Sequence, residues 1–492
     1  MQRPRRTWLA LGLVSVLLVG HGTARAQAFY FGHDLSYANQ MEDCGATFKE
    51  GGVEKDIYRI FADHGTNLVR LRLWVDPTWQ RQLQQPPGVK PQYSDLADVR
   101  EAIARAKAAG MQVLLDFHYS DFWADPGRQV IPARWRSVAH NLEALKDSVY
   151  AYTYAVLTTL DREGLMPEIV QVGNENNSGI LIHADMDENY NGINPVDWRW
   201  SRHAQLFNAA IRAVRDAGAA GSVMPKIALH YAGLNGSVQH FQRLISLGVT
   251  DFDIMGLSYY YAFHGGSIAE LGATIRELVD RFPDYQIMVL ETAYPWTSRN
   301  YDALGNLLNT PDPDYYPFSP EMQRTYMVDL TRTVIQAGGR GVVFWEPDWV
   351  STPCRTPWGQ GSSFEHVAFF EPGTYNLIAN GGIGWTHREW YADLLTTGEA
   401  ITPETPVLLE AVYPVPFRNR LTVTYRLVRP QQVTVQVLDI LGRIVATLST
   451  GRQPAGLHRL LWQPAALPTG RYLLRVQTSD RTESRWLFYI PE

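Results

Sequence analysis

The sequence predicts an α/β protein, a (β/α)₈ TIM barrel followed by a small antiparallel β-sandwich. From Phe29 to about Tyr391, short apolar runs alternate with longer amphipathic stretches, and this alternation is typical of β/α units around a parallel sheet. Eight units within roughly 360 residues suit a closed barrel with enlarged loops. After Pro403 only short alternating runs separated by turn residues remain, which indicates a separate β domain.

The barrel strands are predicted where apolar runs end in polar or aromatic residues. Two helices are marked most clearly, at 98–109 before Gly110 and at 200–217 before Gly218, because glycine commonly follows the last helical residue. The eight predicted strands are 30–35, 68–74, 112–117, 169–173, 226–230, 254–259, 287–290 and 341–345.

The C-terminal part is predicted to be a β-sandwich, with strands at 421–427, 432–438, 443–447, 458–462, 471–478 and 484–490. Arginines exceed acids in residues 405–492, whereas acids exceed basic residues in 27–404. This asymmetry supports a boundary near Pro403. We therefore divide the chain into a leader (1–26), the barrel (27–400), a linker (401–411) and the sandwich (412–492).

The leader has the features of a signal peptide. Arginines precede an apolar run from Trp8 to Gly20, and Ala24-Arg25-Ala26 places small residues at the cleavage spacing. The alternative, a transmembrane anchor, needs roughly 20 apolar residues, and this run is shorter. No later segment is predicted to span a membrane either, so we expect an exported protein.

Charge and cysteine content limit the function further. The formal net charge is −6, and it becomes more negative when the leader and its four arginines are removed, so nucleic acid is not an expected partner. Cys44 and Cys354 are the two cysteines, which excludes a disulfide scaffold. In an exported protein these two could pair or remain free. The barrel places one after its first strand and the other after its last, and these strands are neighbours.

Two glutamates stand at the predicted strand ends, the face that carries the active site in such barrels. Hydrolysis of a glycosidic bond needs one carboxyl group to protonate the leaving oxygen and a second at the anomeric centre. Glu291 ends a buried strand, as suits a nucleophile, and Glu175 enters a loop rich in Asn and Gly. We expect burial and the Glu291 charge to raise the pKa of Glu175. The alternative is that each glutamate merely pairs with an arginine such as Arg70 or Arg72.

Further polar and aromatic residues occupy the same face. Sugar rings stack on aromatic platforms, although tryptophans are often core residues instead. The candidate platforms are Trp74, Trp123, Trp296, Trp345, Trp349 and Trp358. The polar candidates are His33, Asp34, His118, Asp121, Asp125, Asn174 and Glu346.

Residues 30 to about 395 resemble glycoside hydrolase family 53, the endo-β-1,4-galactanases of a large clan of retaining barrels. The likeness lies in 32–36, 69–74, 116–127, 172–181, 256–260, 290–295 and 344–347, and its most specific part is Asp-Phe-His-Tyr-Ser-Asp at 116–121 with Trp-Ala-Asp-Pro-Gly at 123–127. It implies that Glu175 is the acid/base and Glu291 the nucleophile. The substrate-binding residues predicted with it are Asp34, Arg70, His118, Trp123, Asn174, Tyr259 or Tyr260, and Trp345.

The sequence departs from the family pattern in two places. Val75 stands where the family leads us to expect Asn, and Tyr261-Ala262-Phe263-His264 replaces the more usual Pro and Trp before His-Gly. Both departures concern sugar subsites and leave the two glutamates in place.

The resemblance implies no required cofactor. It implies calcium as a possible structural ion between the loops after strands seven and eight, where 296–320 carries Asp302, Asp312 and Asp314; no ligand set can be assigned.

The tail from about Val412 resembles the sorting domains of type IX secretion substrates at 413–417, 437–443 and 467–472. This likeness implies contact with a secretion machinery and a secreted or outer cell-surface location. The alternative is a carbohydrate-binding sandwich, for which Trp462 and Trp486 provide little aromatic platform.

The leading hypothesis is therefore an endo-acting retaining hydrolase of β-1,4-galactan, including type I arabinogalactan of pectin. The alternatives are another retaining endo-glycanase, such as a mannanase or xylanase, and a non-catalytic polysaccharide-binding protein. Loss of either glutamate would have been the mark of the last alternative.

Overall fold

A computed structural model describes residues 29–182 and 199–395, and in the C-terminal part 409–413, 417–427, 431–440, 442–454, 456–464, 467–478 and 482–490. The predicted signal peptide and most of the predicted linker lie outside the described residues. Among the described helices, none is long and apolar enough to cross a membrane.

Eight parallel strands close into a barrel in chain order, with the last strand pairing with the first. Tyr30 pairs with Gly341 at this closure, and Gly32 pairs with Leu68 on the other side of the first strand. The predicted barrel and its eight strands are thus confirmed. The strands are β1 (Tyr30–Asp34), β2 (Leu68–Leu73), β3 (Gln112–Phe117), β4 (Ile169–Val172), β5 (Lys226–Ala232), β6 (Ile254–Ser258), β7 (Gln286–Thr292) and β8 (Gly341–Phe344).

Helices surround the barrel, and several of them begin where a short polar side chain caps the first turn. Asp95 accepts from the backbone N of Asp98, and Ser267 forms a capping box with Glu270. The helices are α1 (Ala38–Asp43), α2 (Ile57–Asp63), α3 (Leu96–Ala108), α4 (Leu142–Arg162), α5 (Trp200–Ala220), α6 (Ser237–Ser246), α7 (Tyr261–His264), α8 (Ile268–Arg281) and α9 (Pro320–Gln336).

The prediction that Gly218 follows the end of a helix is wrong. Helix α5 continues to Ala220, and Gly218 lies inside it. A Cβ atom at Gly218 would meet Met224 Sδ at 2.7 Å and Pro225 Cδ at 2.8 Å. Close packing of the following loop against the helix, and not a helix end, therefore explains this glycine.

The barrel interior is filled by apolar side chains, so that it is a packed core and not a pore. Seven of the eight strands contribute a fully buried residue to this filling, namely Leu68, Leu114, Ile169, Ala228, Ile254, Met288, Leu290 and Val343. A larger apolar layer lies between the strands and the helices. The filling leaves the C-terminal ends of the strands as the face on which polar side chains converge.

The C-terminal part forms two antiparallel sheets that share one apolar core. The strands are β9 (Leu409–Tyr413), β10 (Leu421–Leu427), β11 (Gln431–Leu438), β12 (Ile444–Gln453), β13 (Gly456–Trp462), β14 (Gly470–Thr478) and β15 (Thr482–Tyr489). One sheet has the order β9-β10-β13 and the other β12-β11-β14-β15.

Strand β9 begins inside the range predicted as linker, 401–411. Leu409 and Val412 are buried in the sandwich core, and the backbone N of Leu409 donates to Glu483 at 2.9 Å. The last residues of that range therefore belong to the sandwich, because their apolar side chains have a sheet to pack against.

Cys44 and Cys354 form a disulfide with a Cα–Cα distance of 5.6 Å, within the usual range. Cys44 follows α1 after β1, and Cys354 lies in the loop after β8. The bond therefore joins the loops that follow the first and last strands of the barrel.

Candidate active site

The C-terminal ends of the strands surround a cleft of about 390 Å³. Both predicted carboxyl groups, Glu175 and Glu291, line it. The other lining residues come mainly from the loops after β3, β6, β7 and β8, and they are His118, Trp123, Ala124, Asp125, Pro126, Asn174, Tyr260, Phe263, His264, Leu307, Trp345, Trp349, Trp358 and Phe364.

Glu291 lies in strand β7 and is 6% exposed. Its Oε1 pairs with Arg70 Nη2 at 2.9 Å, and Tyr260 Oη donates to its Oε2 at 3.1 Å. Burial raises the pKa of Glu291 to about 7, while the Arg70 charge and the Tyr260 hydroxyl act in the opposite direction. These contacts leave the ionised carboxylate with one cation and one hydroxyl donor.

Arg70 is itself fixed by a surrounding network. It is 1% exposed, and its guanidinium contacts Asp34 and Asp116 at 2.8 Å each. Arg70 Nη2 also donates to Asn174 Oδ1 at 2.8 Å. Paired on several sides, the guanidinium stays charged and in place beside Glu291.

Glu175 follows β4 on a tightly turned backbone. Gly173 has φ +77° and Glu175 has φ +46°, a left-handed conformation that is uncommon for residues with a Cβ. A Cβ at Gly173 would also meet Asn176 Oδ1 at 2.6 Å, so glycine is needed there. The turn aims the Glu175 carboxyl group into the cleft, and such local strain is frequent at functional sites.

The environment of Glu175 favours its protonated form. Burial, followed by the negative charge of Glu291, raises the pKa of Glu175 to about 8. The hydrogen bond between Ser258 Oγ and Glu175 Oε1, at 2.6 Å, partly offsets this rise. No cation pairs directly with Glu175 among the described residues, whereas Glu291 has Arg70.

The two carboxyl groups face each other at short range. One oxygen of each, together with a nitrogen of His230, lies within 4.8 Å of the others. Because two adjacent carboxyl groups titrate as a pair, and because Arg70 stabilises charge on Glu291, the first proton belongs to Glu175. The arrangement thus offers one protonated acid and one carboxylate across the same cleft, at the short separation typical of retaining glycosidases.

Comparison with known proteins assigns the barrel to a family. Residues 30–379 match the family model described as Glycosyl hydrolase family 53. The chain belongs to this family. Residues 411–488 match a secretion system C-terminal sorting domain.

Relatives of family 53 cover most of the barrel. The arabinogalactan endo-beta-1,4-galactanase of Cellvibrio japonicus is 42% identical over 364 residues, which is 74% of this chain and 92% of that protein. The endo-beta-1,4-galactanase of Bacillus subtilis is 31% identical over 360 residues, or 70% of this chain and 78% of that protein.

Two solved structures support the same family. The Ignisphaera aggregans GH53 catalytic domain has a TM-score of 0.63 at 30% identity and covers 73% of this chain and 95% of its own. A structure described with two fungal beta-1,4-galactanases has a TM-score of 0.59 at 27% identity and covers 73% of this chain and 100% of its own.

Of the substrate-binding residues that the resemblance to family 53 implies, five line the cleft, namely His118, Trp123, Asn174, Tyr260 and Trp345. Asp34 does not reach it, because its carboxylate is fully buried against Arg70. Arg70 is likewise buried and contacts the nucleophile candidate Glu291. Tyr259 points away and donates to the Gly266 carbonyl at 3.0 Å. Asp34, Arg70 and Tyr259 thus lie outside the cleft lining, and their contact with substrate stays a prediction.

The tryptophans divide between cleft and core. Trp123 and Trp345 lie with their rings 5.9 Å apart at the cleft, and Trp358 is half exposed on its rim. Trp349 also lines the cleft but is 3% exposed. Trp74 and Trp296 do not line the cleft, and their role as platforms stays a prediction.

Arg72 supports the aromatic wall from behind. Its Cζ lies 4.1 Å from the Trp123 ring centroid and 4.6 Å from that of Trp74, distances suited to cation–π contact. Its Nη1 pairs with Glu346 at 2.6 Å. The alternative raised from the sequence, glutamate–arginine pairing, applies to Glu291 with Arg70 but leaves both candidate carboxyl groups in the cleft.

Sequence reasoning missed two buried polar residues beside Glu175. Ser258 ends β6 and His230 lies on β5, and each is fully buried. The available signal was a polar residue in an otherwise apolar strand, since burial of such a residue requires hydrogen-bond partners.

Asp302 and Asp312 each accept hydrogen bonds from neighbouring groups of the protein. Asp302 accepts from Leu304 N, Ser351 Oγ and Ser362 N at 2.7 to 2.8 Å. Asp312 accepts from the backbone N of Asp314. Within the described residues these three acids are not grouped closely enough to share an ion. Binding of a structural calcium ion, which the resemblance to family 53 implies, therefore stays a prediction for this chain. The reaction proposed below does not use this ion.

Proposed function

We propose that the chain is a secreted endo-β-1,4-galactanase that cleaves galactan and type I arabinogalactan with retention of configuration. The observation that carries this proposal is the facing pair Glu175 and Glu291, one with a strongly raised pKa and the other beside a fixed cation. Membership of family 53 and the galactanase names of its relatives in Cellvibrio japonicus and Bacillus subtilis support the substrate.

In the first step, Glu291 attacks the anomeric carbon while Glu175 gives its proton to the leaving glycosidic oxygen. Arg70 and Tyr260 hold Glu291 in its ionised form and fix its direction. As the glycosyl ester forms, the charge on Glu291 is neutralised and Glu175 becomes the anion. The loss of the repelling neighbour makes Glu175 a carboxylate that can act as a base.

In the second step, Glu175 takes a proton from water, and the resulting nucleophile attacks the ester from the side that the leaving group left. The anomeric carbon has then been inverted twice, so the product keeps the β configuration. The two carboxyl groups supply the acid, the base and the nucleophile, and we propose that no cofactor is required.

We propose export for the whole chain by two signals. The N-terminal leader fits passage across an inner membrane, and the match of 411–488 to a secretion sorting domain fits a second step through a type IX machinery. The exported protein would then be released into the medium or retained at the outer cell surface.

The first experiment is reducing-sugar release from linear β-1,4-galactan, with β-1,4-mannan and β-1,4-xylan as parallel substrates. We expect activity on galactan alone, lost in Glu175→Ala and in Glu291→Ala. Activity on mannan or xylan in place of galactan would overturn the substrate, and activity surviving Glu291→Ala would overturn the nucleophile.

Azide distinguishes the two roles. In Glu175→Ala, azide should attack the glycosyl ester without base help and restore turnover of an activated aryl glycoside with a β-azide product. In Glu291→Ala, azide should occupy the space of the missing carboxylate and give the α-azide. The reverse pattern would exchange the roles of the two residues.

A further inference from the structure

Two buried polar side chains, Ser258 and His230, lie behind Glu175 and outside the cleft lining. Ser258 Oγ is 2.6 Å from Glu175 Oε1 and 2.9 Å from His230 Nε2. Both residues are 0% exposed, so bulk solvent does not reach their polar atoms. Their hydrogens must therefore be assigned from the surrounding protein groups.

The hydrogen on His230 can be placed through Asn174. Asn174 Oδ1 accepts from Arg70 Nη2 at 2.8 Å, and Asn174 Nδ2 donates to the Ala124 carbonyl at 2.8 Å, which fixes the orientation of the amide. The oxygen of this amide is 2.9 Å from His230 Nδ1. Because that oxygen can only accept, His230 Nδ1 carries the hydrogen.

Two other donors lie farther from His230 Nδ1 than Asn174 Oδ1 does. Gln171 Nε2 is 3.2 Å away, and its two hydrogens have acceptors in the Gly173 carbonyl at 3.0 Å and Asn174 Oδ1 at 3.1 Å. The backbone N–H of Glu175 points toward Nδ1 at 3.4 Å, and we assign the hydrogen from the much shorter 2.9 Å contact with Asn174 Oδ1. Burial, reinforced by the Arg70 charge, lowers the pKa of His230 well below its usual range, so the ring is neutral and its Nε2 keeps a lone pair.

The Ser258 hydroxyl therefore has one hydrogen to donate and two possible acceptors, His230 Nε2 and Glu175 Oε1. We propose that the Ser258 hydroxyl changes acceptor during each turnover, donating to His230 while Glu175 is protonated and to Glu175 once its proton has left. The role given to Glu175 here rests on the proposed function. Ser258 and His230 are positioning residues, because both are buried and neither lines the cleft.

The exchange conserves every proton. With Glu175 protonated, its O–H donates to Ser258 Oγ, and Ser258 donates to His230 Nε2. When Glu175 gives its proton to the leaving oxygen, the Ser258 hydroxyl rotates about its C–O bond and donates to the new carboxylate, a charge-assisted hydrogen bond. Deprotonation of water by Glu175 in the second step returns the hydroxyl to His230.

For catalysis, this means that the Ser258 hydroxyl changes its acceptor as the charge on Glu175 changes. A donor fixed toward Oε1 would favour the carboxylate at all times and weaken the acid. A donor with a second acceptor supports the acid before proton transfer and the anion after it. The hydroxyl thereby stabilises the negative charge that develops on Glu175 in the transition state more than it stabilises the resting, protonated state. Such a difference in stabilisation accelerates the reaction.

The test compares Ser258→Ala and Ser258→Thr with the parent on two substrates. One is galactan, whose leaving oxygen needs the acid, and the other is a 2,4-dinitrophenyl β-galactobioside, whose leaving group does not. We expect Ser258→Ala to lower kcat/KM on galactan by about ten- to a hundredfold, the value of a hydrogen bond to a charged group. We expect little change on the activated substrate and recovery in Ser258→Thr.

The pH profile gives a second readout. Since the Ser258 donor lowers the pKa of Glu175, Ser258→Ala should move the alkaline limb of kcat/KM on galactan to higher pH. The matched control is Thr292→Val, because the buried Thr292 hydroxyl has no hydrogen-bond partner within the described residues. Its removal should leave the profile in place. Equal losses on both substrates, or an unmoved limb in an active Ser258→Ala, would overturn the proposal.

A measurement independent of activity separates this proposal from the proposed function. In ¹⁵N-histidine-labelled full chain, the His230 signal, assigned by its loss in His230→Gln, should show a protonated Nδ1 and an unprotonated Nε2. A protonated Nε2 would lock the Ser258 hydroxyl onto Glu175 and overturn the proposal. A parent that fails on galactan but shows the expected tautomer would overturn the function and leave the hydrogen-bond arrangement standing.

Discussion

The raised pKa of Glu175 predicts that the parent is destabilised by this residue as the pH rises, and that Glu175→Gln removes the effect. When the pKa of a carboxyl group is higher in the folded state than in the unfolded state, its full contribution to the free energy of unfolding is present below the unfolded-state pKa. This contribution is lost as the pH rises through the folded-state pKa. Glutamine is uncharged and close in shape to the protonated acid. The variant should therefore gain stability relative to the parent as the pH increases.

The magnitude follows from the two pKa values. Burial and the Glu291 charge raise the pKa of Glu175 from 4.5 to about 8. Between these values the unfolded chain carries an ionised Glu175 and the folded chain a protonated one, so folding loses about 1.4 kcal/mol per pH unit. From pH 5 to pH 7, the stability of the variant minus that of the parent should increase by about 2 to 3 kcal/mol.

The assay is urea unfolding of parent and variant at both pH values, followed by tryptophan fluorescence. Taking the difference between pH values cancels any effect of the substitution that does not depend on pH. Glu54→Gln, a change at an exposed carboxylate, is the control and should show no such increase. A difference between Glu175→Gln and the parent that is equal at pH 5 and pH 7 would refute the reasoning, since Glu175 would then be ionised in the folded protein.

Three further predictions concern the cleft and the disulfide. Tyr260→Phe removes a hydrogen-bond donor that lowers the pKa of Glu291. Since Glu291 acts as the anion, the acid limb of the kcat/KM profile should move to higher pH. An unmoved limb would count against the hydrogen bond between Tyr260 and Glu291. Trp358→Ala removes a half-exposed ring at the cleft rim and should raise KM for long galactan several-fold with kcat retained, as measured beside a short oligosaccharide whose KM should not change. Cys44→Ser opens a loop of 310 residues closed by Cys354 and should cost about 2 to 4 kcal/mol of stability; a reductant should lower the Tm of the parent but not that of the variant.

The sequence predicted the barrel because its strands are apolar runs whose ends are marked by polar residues, and both glutamates followed from their position at those ends. It could not predict which of two neighbouring tyrosines faces the cleft. The pairing of β6 with β7 shifts between Leu257 and Ser258, so that Ser258 lies opposite Glu291. Such an irregularity changes which side chains point inward, and nothing in the local sequence marks it.

Other features escaped prediction because they depend on distant contacts. Gly218 has the appearance of a helix end, but the packing of Met224 and Pro225 against it decides its role. Leu409 lies in a stretch without a clear pattern of its own and becomes a strand residue because β10 provides a partner. In each case tertiary packing overrides a local signal.

The disulfide between Cys44 and Cys354 also records an order of events. Its two cysteines stand after the first and the last barrel strand, 310 residues apart, so the bond spans the seam between β1 and β8. Oxidising compartments, where such bonds form, lie outside the cytosol. Once formed there, the covalent ring encloses nearly the whole barrel, and any later transport step must carry the closed barrel as a single object and cannot thread it as an extended chain.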